Sequence, residues 1–139
     1  MRYWDSSALV ALLVQEKRSP EVIAAMDEDP FVLTSTYTAI EIASALWRRR
    51  HTGELTPEEH LTVDRLLADL SQTWLELPVS QQVINAAIRV LAPHRLRAGD
   101  ALQLGTAVEA ARSQRDLTFV TLDDDLASAA RTEGFPVLP

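Results

Sequence analysis

The chain has 139 residues, enough for one domain with its own core, and a net charge of −7. It contains no cysteine, which excludes a disulfide framework, a thiolate metal site and a cysteine nucleophile. No apolar run approaches the ~18 residues that span a bilayer, and Asp5 interrupts the opening segment where a signal peptide would be apolar. We therefore expect a soluble, cytoplasmic protein with no membrane partner.

Strand and helix patterns alternate along the whole chain. In chain order, we expect a strand at 2–4, helices at 6–15 and 19–27, a strand at 31–34, helices at 36–50 and 56–70, a strand at 73–77, helices at 80–91 and 98–115, a strand at 117–122, a helix at 123–132 and a strand at 136–138. Ser19 and Thr56 are the expected caps of their helices, each followed by proline, and Gly134 is an expected stop. This alternation predicts an α/β fold with a mostly parallel sheet covered on both faces.

Four acidic residues stand out from this pattern. Asp5 and Asp123 each follow a predicted strand, so both should lie at the edge where parallel strands end. Glu41 lies inside the apolar stretch "YTAIEIASALW", and Asp100 opens the mainly apolar helix of "RAGDALQLGTA". A carboxylate buried in such surroundings is costly unless something positive lies nearby.

Each acid also has a purely structural interpretation. Asp5, Asp100 and Asp123 are all placed where they could cap helices. Glu41 caps nothing, but it could form a buried ion pair with an arginine such as Arg48 or Arg97.

Taken together, the four acids point to a metal site. Several carboxylates at one edge repel each other unless cations hold them, and oxygen ligands without His or Cys suit Mg²⁺ or Mn²⁺ rather than zinc. Two such ions ~3.5–4 Å apart activate a water and stabilise the leaving oxygen of a phosphodiester. Because acids gathered around metal ions can attract phosphate, the net negative charge does not exclude a nucleic-acid partner.

Four sequence motifs resemble those of the PIN-domain nucleases, in the same order and over nearly the whole chain. They are "YWDSSALVALL" with Asp5, "YTAIEIASALWR" with Glu41, "LRAGDALQLGTAVEA" with Asp100, and "LTFVTLDDDLASAARTEGF" with Asp123. The chain length and the last two motifs look most like the VapC-type toxins of prokaryotic type II toxin–antitoxin modules. One departure is Gly99, which stands where the family commonly has a bulkier residue and could loosen the helix start.

The resemblance implies a fold, an activity and partners. The fold would be a PIN-like three-layer α/β/α sandwich with a short, mostly parallel central sheet, formed by residues 1–139 as one PIN domain. The activity would be Mg²⁺- or Mn²⁺-dependent endoribonuclease cleavage that leaves a 5′-phosphate and a 3′-hydroxyl. The protein would be a homodimer inhibited by a small cognate antitoxin. The residues carried over from the motifs are the metal-binding and catalytic acids Asp5, Glu41, Asp100 and Asp123 and the supporting hydroxyls of Ser7 and Thr121.

Basic residues are needed to hold RNA outside an acidic pocket. The candidates are Arg48, Arg49 and Arg50 in "WRRRH" and Arg95 and Arg97 in "HRLR". The first three could instead simply complement the negative end of a helix. We expect the three tryptophans in the core rather than stacked on bases, and the three histidines at the surface.

Other interpretations fit less well. A receiver domain would need two acids after the first strand and a lysine after a later one, but the first strand is followed by Asp5-Ser6 and the sole lysine is Lys17. A haloacid-dehalogenase-like phosphatase would need Asp-x-Asp, and position 7 is Ser7. A stand-alone RNA-processing nuclease and a non-catalytic PIN-fold binding module remain as alternatives.

Overall fold

A computed structural model describes residues 1–139. It contains every strand and helix expected from the sequence, with boundaries that shift by up to four residues. The strands are β1 (Arg2–Trp4), β2 (Val32–Ser35), β3 (Leu75–Leu77), β4 (Thr118–Val120) and β5 (Val137–Leu138). The helices are α1 (Ser6–Leu13), α2 (Ser19–Glu28), α3 (Thr38–His51), α4 (Pro57–Ser71), α5 (Gln81–Leu91), α6 (Ala98–Ala111) and α7 (Asp124–Thr132).

The five strands form one parallel sheet in the order β3-β2-β1-β4-β5. The central strand β1 pairs with β2 on one side and β4 on the other, so Tyr3 lies opposite both Leu33 and Phe119. The predicted parallel α/β sheet is therefore confirmed.

Helices cover both faces of the sheet. Strands of a parallel sheet are apolar on both faces, so both faces must be buried. Side chains alternate along β1, so Trp4 faces a core layer with Leu9 and Ile42, whereas Tyr3 faces a second layer with Leu104. Tyr3 and Trp4 are both fully buried. This is the expected three-layer α/β/α arrangement.

Of the two N-cap residues expected from the sequence, one caps its helix and the other does not. Thr56 and Glu59 form the expected capping box, in which the amide of Glu59 donates to Thr56 Oγ1 at 3.2 Å and the amide of Thr56 donates to Glu59 Oε2 at 2.8 Å. Ser19 does not cap α2, and that expectation was wrong. Its buried hydroxyl donates instead to the carbonyl of Ala11 at 2.6 Å, because it closes the turn between α1 and α2.

The end of α6 is the largest boundary difference. The expected helix at 98–115 ends at Ala111, and the chain turns back towards β4 through Asp116, whose φ of 64° lies in the left-handed region. None of the helices is both long and apolar enough to cross a membrane.

Candidate functional site

A cleft of about 560 Å³ opens at the carboxyl-terminal edge of the sheet. Its walls come from α1, α3, the start of α6 and the loop between β4 and α7. Glu41, Asp100 and Asp123 line it directly. Asp5 lies beneath the wall formed by Ser6 and Ser7, so the fold brings all four predicted acids to one edge of the sheet.

Asp5 is only 3% exposed, and hydroxyl and amide donors satisfy one of its two oxygens. Its Oδ2 accepts from Ser7 Oγ at 2.6 Å, from the Ser7 amide at 3.1 Å and from Thr121 Oγ1 at 2.9 Å. Its Oδ1 has only a long contact of 3.4 Å with Ser6 Oγ. Burial raises the pKa of Asp5, and the bonds from Ser7 and Thr121 oppose that rise.

The two hydroxyls predicted to support the site tie separate elements together. Ser7 Oγ accepts from the amide of Leu122 at 2.9 Å, and Thr121 Oγ1 accepts from the amide of Asp123 at 3.1 Å. The hydroxyl oxygens of Ser7 and Thr121 are 3.2 Å apart. The start of α1 is thereby fixed to the end of β4, which sets the position of Asp5 relative to Asp123.

Glu41 is half-buried in the wall of the cleft, near the start of α3. Its Oε2 accepts a bond from Gln103 Nε2, a side chain of α6. Burial raises the pKa of Glu41, the bond from Gln103 opposes that rise, and the charges of Asp5 and Asp100 add to it. Glu41 takes part in none of the ion pairs of the chain, so the alternative of a buried pair with an arginine is wrong.

Asp100 and Asp123 do act as helix caps. Asp100 Oδ2 accepts from the amide of Arg97 at 3.0 Å, and Asp123 Oδ1 accepts from the amide of Leu126 at 2.8 Å. Burial raises the pKa of Asp100, and the charges of Asp123 and Asp125 add to the rise, whereas Arg97 opposes it. Capping uses one oxygen of each carboxylate, so it leaves the second oxygen available.

The four acids therefore share one pattern. In each, a strong hydrogen bond from the fold fixes one oxygen, and none has a cationic side chain as a partner. No three acidic or histidine side chains lie close enough together to hold a metal ion in this conformation. The chemistry of the donors nevertheless fits a hard divalent cation, because they are carboxylates without ion pairs and neighbouring acids raise the pKa values of Glu41 and Asp100.

Three of the five candidate RNA-binding arginines line the cleft, namely Arg48, Arg49 and Arg97. Arg49 also forms an ion pair with Glu16, another residue of the cleft wall. Arg48 and Arg97 are exposed and take part in no ion pair. The structure does not bring the remaining two, Arg50 and Arg95, to the cleft wall.

Trp47 and His60 contradict two expectations about burial. Trp47 is 52% exposed rather than in the core, and His60 is 6% exposed rather than at the surface. The two rings pack against each other with centroids 4.4 Å apart, because α4 folds over the end of α3 and the indole covers the imidazole. Such a contact between two helices leaves no signal in either local sequence.

Sequence reasoning also misjudged the role of Gly99 and missed Gln103. Gly99 does not loosen α6, which begins at Ala98; it leaves room for Glu41, whose Oε1 lies 2.6 Å from where a Cβ at position 99 would be. Gln103 is fully buried and binds Glu41. The only signal was an amide within an apolar helix, three residues after Asp100.

A family comparison agrees with the geometry. The profile of the PIN domain matches residues 2–132. The chain belongs to the PIN domain family. This confirms the family that the four sequence motifs resemble.

Several solved structures share this PIN-domain fold. FitAcB from Neisseria gonorrhoeae has a TM-score of 0.76 at 17% identity, covering 100% of this chain and 97% of that one. VapC20 from Mycobacterium tuberculosis, described as a sarcin-ricin loop cleaving toxin, has a TM-score of 0.70 at 19% identity, and both chains are covered completely. A toxin–antitoxin complex from Klebsiella pneumoniae has a TM-score of 0.65 at 19% identity, covering 100% and 97%. No curated protein sequence matches the chain.

Proposed function

We propose that this PIN-domain protein is a divalent-metal-dependent endoribonuclease and the toxin of a type II toxin–antitoxin module. The observation that carries the proposal is the set of four carboxylates at one edge of the sheet, three lining the cleft and Asp5 beneath its wall. Each has one oxygen fixed by the fold, and none is paired with a cation. A purely structural set of acids would be expected to include ion pairs, since unpaired buried charge is costly.

We further propose roles for the four acids, in line with the resemblance of their motifs to those of PIN-domain nucleases. Asp5 and Asp100 would hold one Mg²⁺ or Mn²⁺, while Glu41 and Asp123 would hold a second ion or orient water, one of them serving as general base. When bound, such an ion lowers the pKa of a water and stabilises the leaving oxygen of a phosphodiester. Ser7 supports this by holding Oδ2 of Asp5, which directs the other oxygen away from the bonded side.

RNA would be held at the rim of the cleft. Arg48 and Arg97 have no acidic partner and are exposed beside the carboxylates, so they are available for phosphates. Arg49 would contribute less, because Glu16 already neutralises it. The proposed products carry a 5′-phosphate and a 3′-hydroxyl, as the resemblance to PIN-domain nucleases implies.

The proposed biological setting is a cytoplasmic homodimer of one PIN domain per chain, silenced by a small antitoxin. The similar fold of a structure described as a toxin–antitoxin complex supports the antitoxin. A short neighbouring reading frame encoding a DNA-binding protein is expected beside this gene. A stand-alone RNA-processing nuclease would lack that neighbour.

The test uses mixed structured RNA and no knowledge of the target. Purified protein is incubated with Mg²⁺ or Mn²⁺, then with EDTA, beside the Asp100→Asn variant. We expect cleavage that needs the metal and is lost in the variant. The absence of both cleavage and metal binding by calorimetry would overturn the proposal and leave a binding module.

A further inference from the structure

The side chain of Gln103 is a fully buried amide on the apolar face of α6. All its polar groups have partners. Its Nε2 donates to Glu41 Oε2 and to Thr38 Oγ1, the latter at 2.9 Å, and its Oε1 accepts from the hydroxyl of Tyr3 at 2.7 Å. The amide therefore links a carboxylate of the cleft to the central strand β1.

The direction of every bond around this amide is fixed by one backbone carbonyl. Thr34 Oγ1 lies 2.7 Å from the carbonyl oxygen of Trp4, which can only accept, so Thr34 donates its one proton there. Thr38, 2.7 Å from Thr34, must then donate to Thr34 and accept from Gln103. That leaves the second N–H of Gln103 for Glu41.

This chain of donors excludes the flipped amide. A flipped Gln103 would aim its carbonyl oxygen at the carboxylate of Glu41 and at a threonine that has no proton left to give. With the amide in this orientation, Gln103 Oε1 faces the phenol of Tyr3 and accepts its proton at 2.7 Å. The network starts at Trp4, directly before Asp5, so it places Glu41 relative to Asp5.

Gly99 lies next to Oε1, the other carboxylate oxygen of Glu41. It lies four residues before Gln103, one turn away on the same face of α6. A Cβ at this position would lie 2.6 Å from Glu41 Oε1 and 3.5 Å from the ring of Tyr37. The backbone at Gly99 is not left-handed, so an alanine fits the helix and only the end of the Glu41 side chain would have to move.

We propose that Gln103 and Gly99 are positioning residues that hold the Glu41 carboxylate, Gln103 by donating to Oε2 and Gly99 by leaving space for Oε1. This inference rests on the proposed function, because it gives Glu41 a geometry that a metal or its water can use. Neither residue touches the reacting atoms. Partners that orient metal ligands from behind commonly matter about 10–100-fold for metal affinity or activity.

The first readout is NMR of the metal-free protein. The two side-chain amide protons of Gln103 should give separate signals that exchange slowly with water. Gly99→Ala should shift those signals, because it displaces Glu41. The control is Gln114→Met, which replaces a half-buried glutamine just beyond the end of α6 and should leave the Gln103 signals in place. Rapid exchange in the wild type, or an unshifted spectrum in Gly99→Ala, would overturn the proposed geometry.

The second readout is Mn²⁺ affinity by titration calorimetry. We expect about 10–100-fold weaker binding in Gly99→Ala and Gln103→Met, and wild-type binding in the matched Gln114→Met. The melting temperature of Gly99→Ala should change little, since the better helix propensity of alanine offsets part of the cost of moving Glu41 away from Gln103. Wild-type affinity in both site variants would overturn the positioning role. A wild-type chain that binds no Mn²⁺ would instead overturn the proposed function, and the NMR comparison would still decide whether Glu41 is held.

Discussion

The start and the middle of α6 use glycine for opposite purposes. Near its start, a Cβ on Gly99 would lie 2.6 Å from the Oε1 of Glu41. Near its middle, a Cβ on Gly105 would lie 2.6 Å from the backbone nitrogen of Ala87 and 2.9 Å from its Cα. The distances are equal, but the first neighbour is the tip of a flexible side chain and the second is the backbone of α5.

Within one helix, Gly99 therefore serves the geometry of the site and Gly105 serves the packing of the fold. At Gly105 the close approach packs α6 against α5, and the surroundings cannot yield without moving a helix. At Gly99 the surroundings are a carboxylate that can rotate away, so a substitution there should alter the site and leave the fold intact. The start of α6 carries Asp100, a carboxylate without an ion pair that is repelled by Asp123 and Asp125, whereas the rest of the helix carries apolar packing.

The largest expected effect is on catalysis, from Asp100→Asn. We expect the initial rate of RNA cleavage to fall by at least about 100-fold, since losing a ligand should cost more than losing the group behind it. The melting temperature of the metal-free variant should be equal or higher, because the change removes a charge that Asp123 and Asp125 repel. Asp124→Asn, in which the side chain is 97% exposed, is the matched control and should retain the wild-type rate. Equal loss in both variants would contradict this account.

The next effect is on stability, from Gly105→Ala. Forcing a Cβ against the backbone of Ala87 should lower the free energy of unfolding by about 1–3 kcal/mol, measured by urea denaturation. Cleavage per folded molecule should be unchanged at a temperature where the variant is folded. A loss as large in Gly99→Ala would mean that the start and the middle of α6 do not differ in this way.

The pH dependence of stability should report the charges at the cleft. The pKa values of Asp5, Glu41 and Asp100 are raised by burial, so the folded state binds more protons than the unfolded state between the usual and the raised values. The contribution of these groups to the free energy of unfolding therefore falls as pH rises through that interval. Metal-free protein should gain stability from them as pH is lowered from 7 towards the raised pKa values, and Mn²⁺ should remove this gain.

The comparison that isolates this effect is wild type against Glu41→Gln, with thermal melts recorded across the acid range. The variant should show a weaker rise in melting temperature on acidification. Identical pH profiles would indicate that protonation of Glu41 does not contribute to the pH dependence of stability.

The smallest expected effect is on RNA binding by the arginines. Arg48→Ala should weaken binding a few-fold and reduce the slope of log affinity against log salt by about 1, as expected for one lost phosphate contact. Arg50→Ala should leave both unchanged, because Arg50 is not in the cleft wall. Salt titrations by fluorescence anisotropy would measure both, and equal effects would remove Arg48 from the proposed interface.

The sequence was sufficient for the parallel sheet and for the edge at which the acids meet. Hydrophobic periodicity and helix-capping residues define the strands and helices locally. Because the strands are parallel, Asp5 and Asp123 must then lie at the same edge of the sheet. The sequence was insufficient for contacts that depend on how the helices pack against one another. The bond from Gln103 to Glu41 spans 62 positions, and the packing of Trp47 on His60 depends on how α4 crosses α3. The inward turn of Asp5 Oδ2 towards Thr121 depends in the same way on contacts between distant elements.

The most direct test of the central claim is a calorimetric titration of metal-free protein with Mn²⁺, beside Asp100→Asn. The claim is that the four carboxylates at this edge of the sheet bind divalent cations, with Asp100 as a ligand. It predicts saturable binding of at least one ion per chain in the wild type, with binding strongly weakened in the variant. Absence of binding, or equal binding by the two proteins, would contradict it.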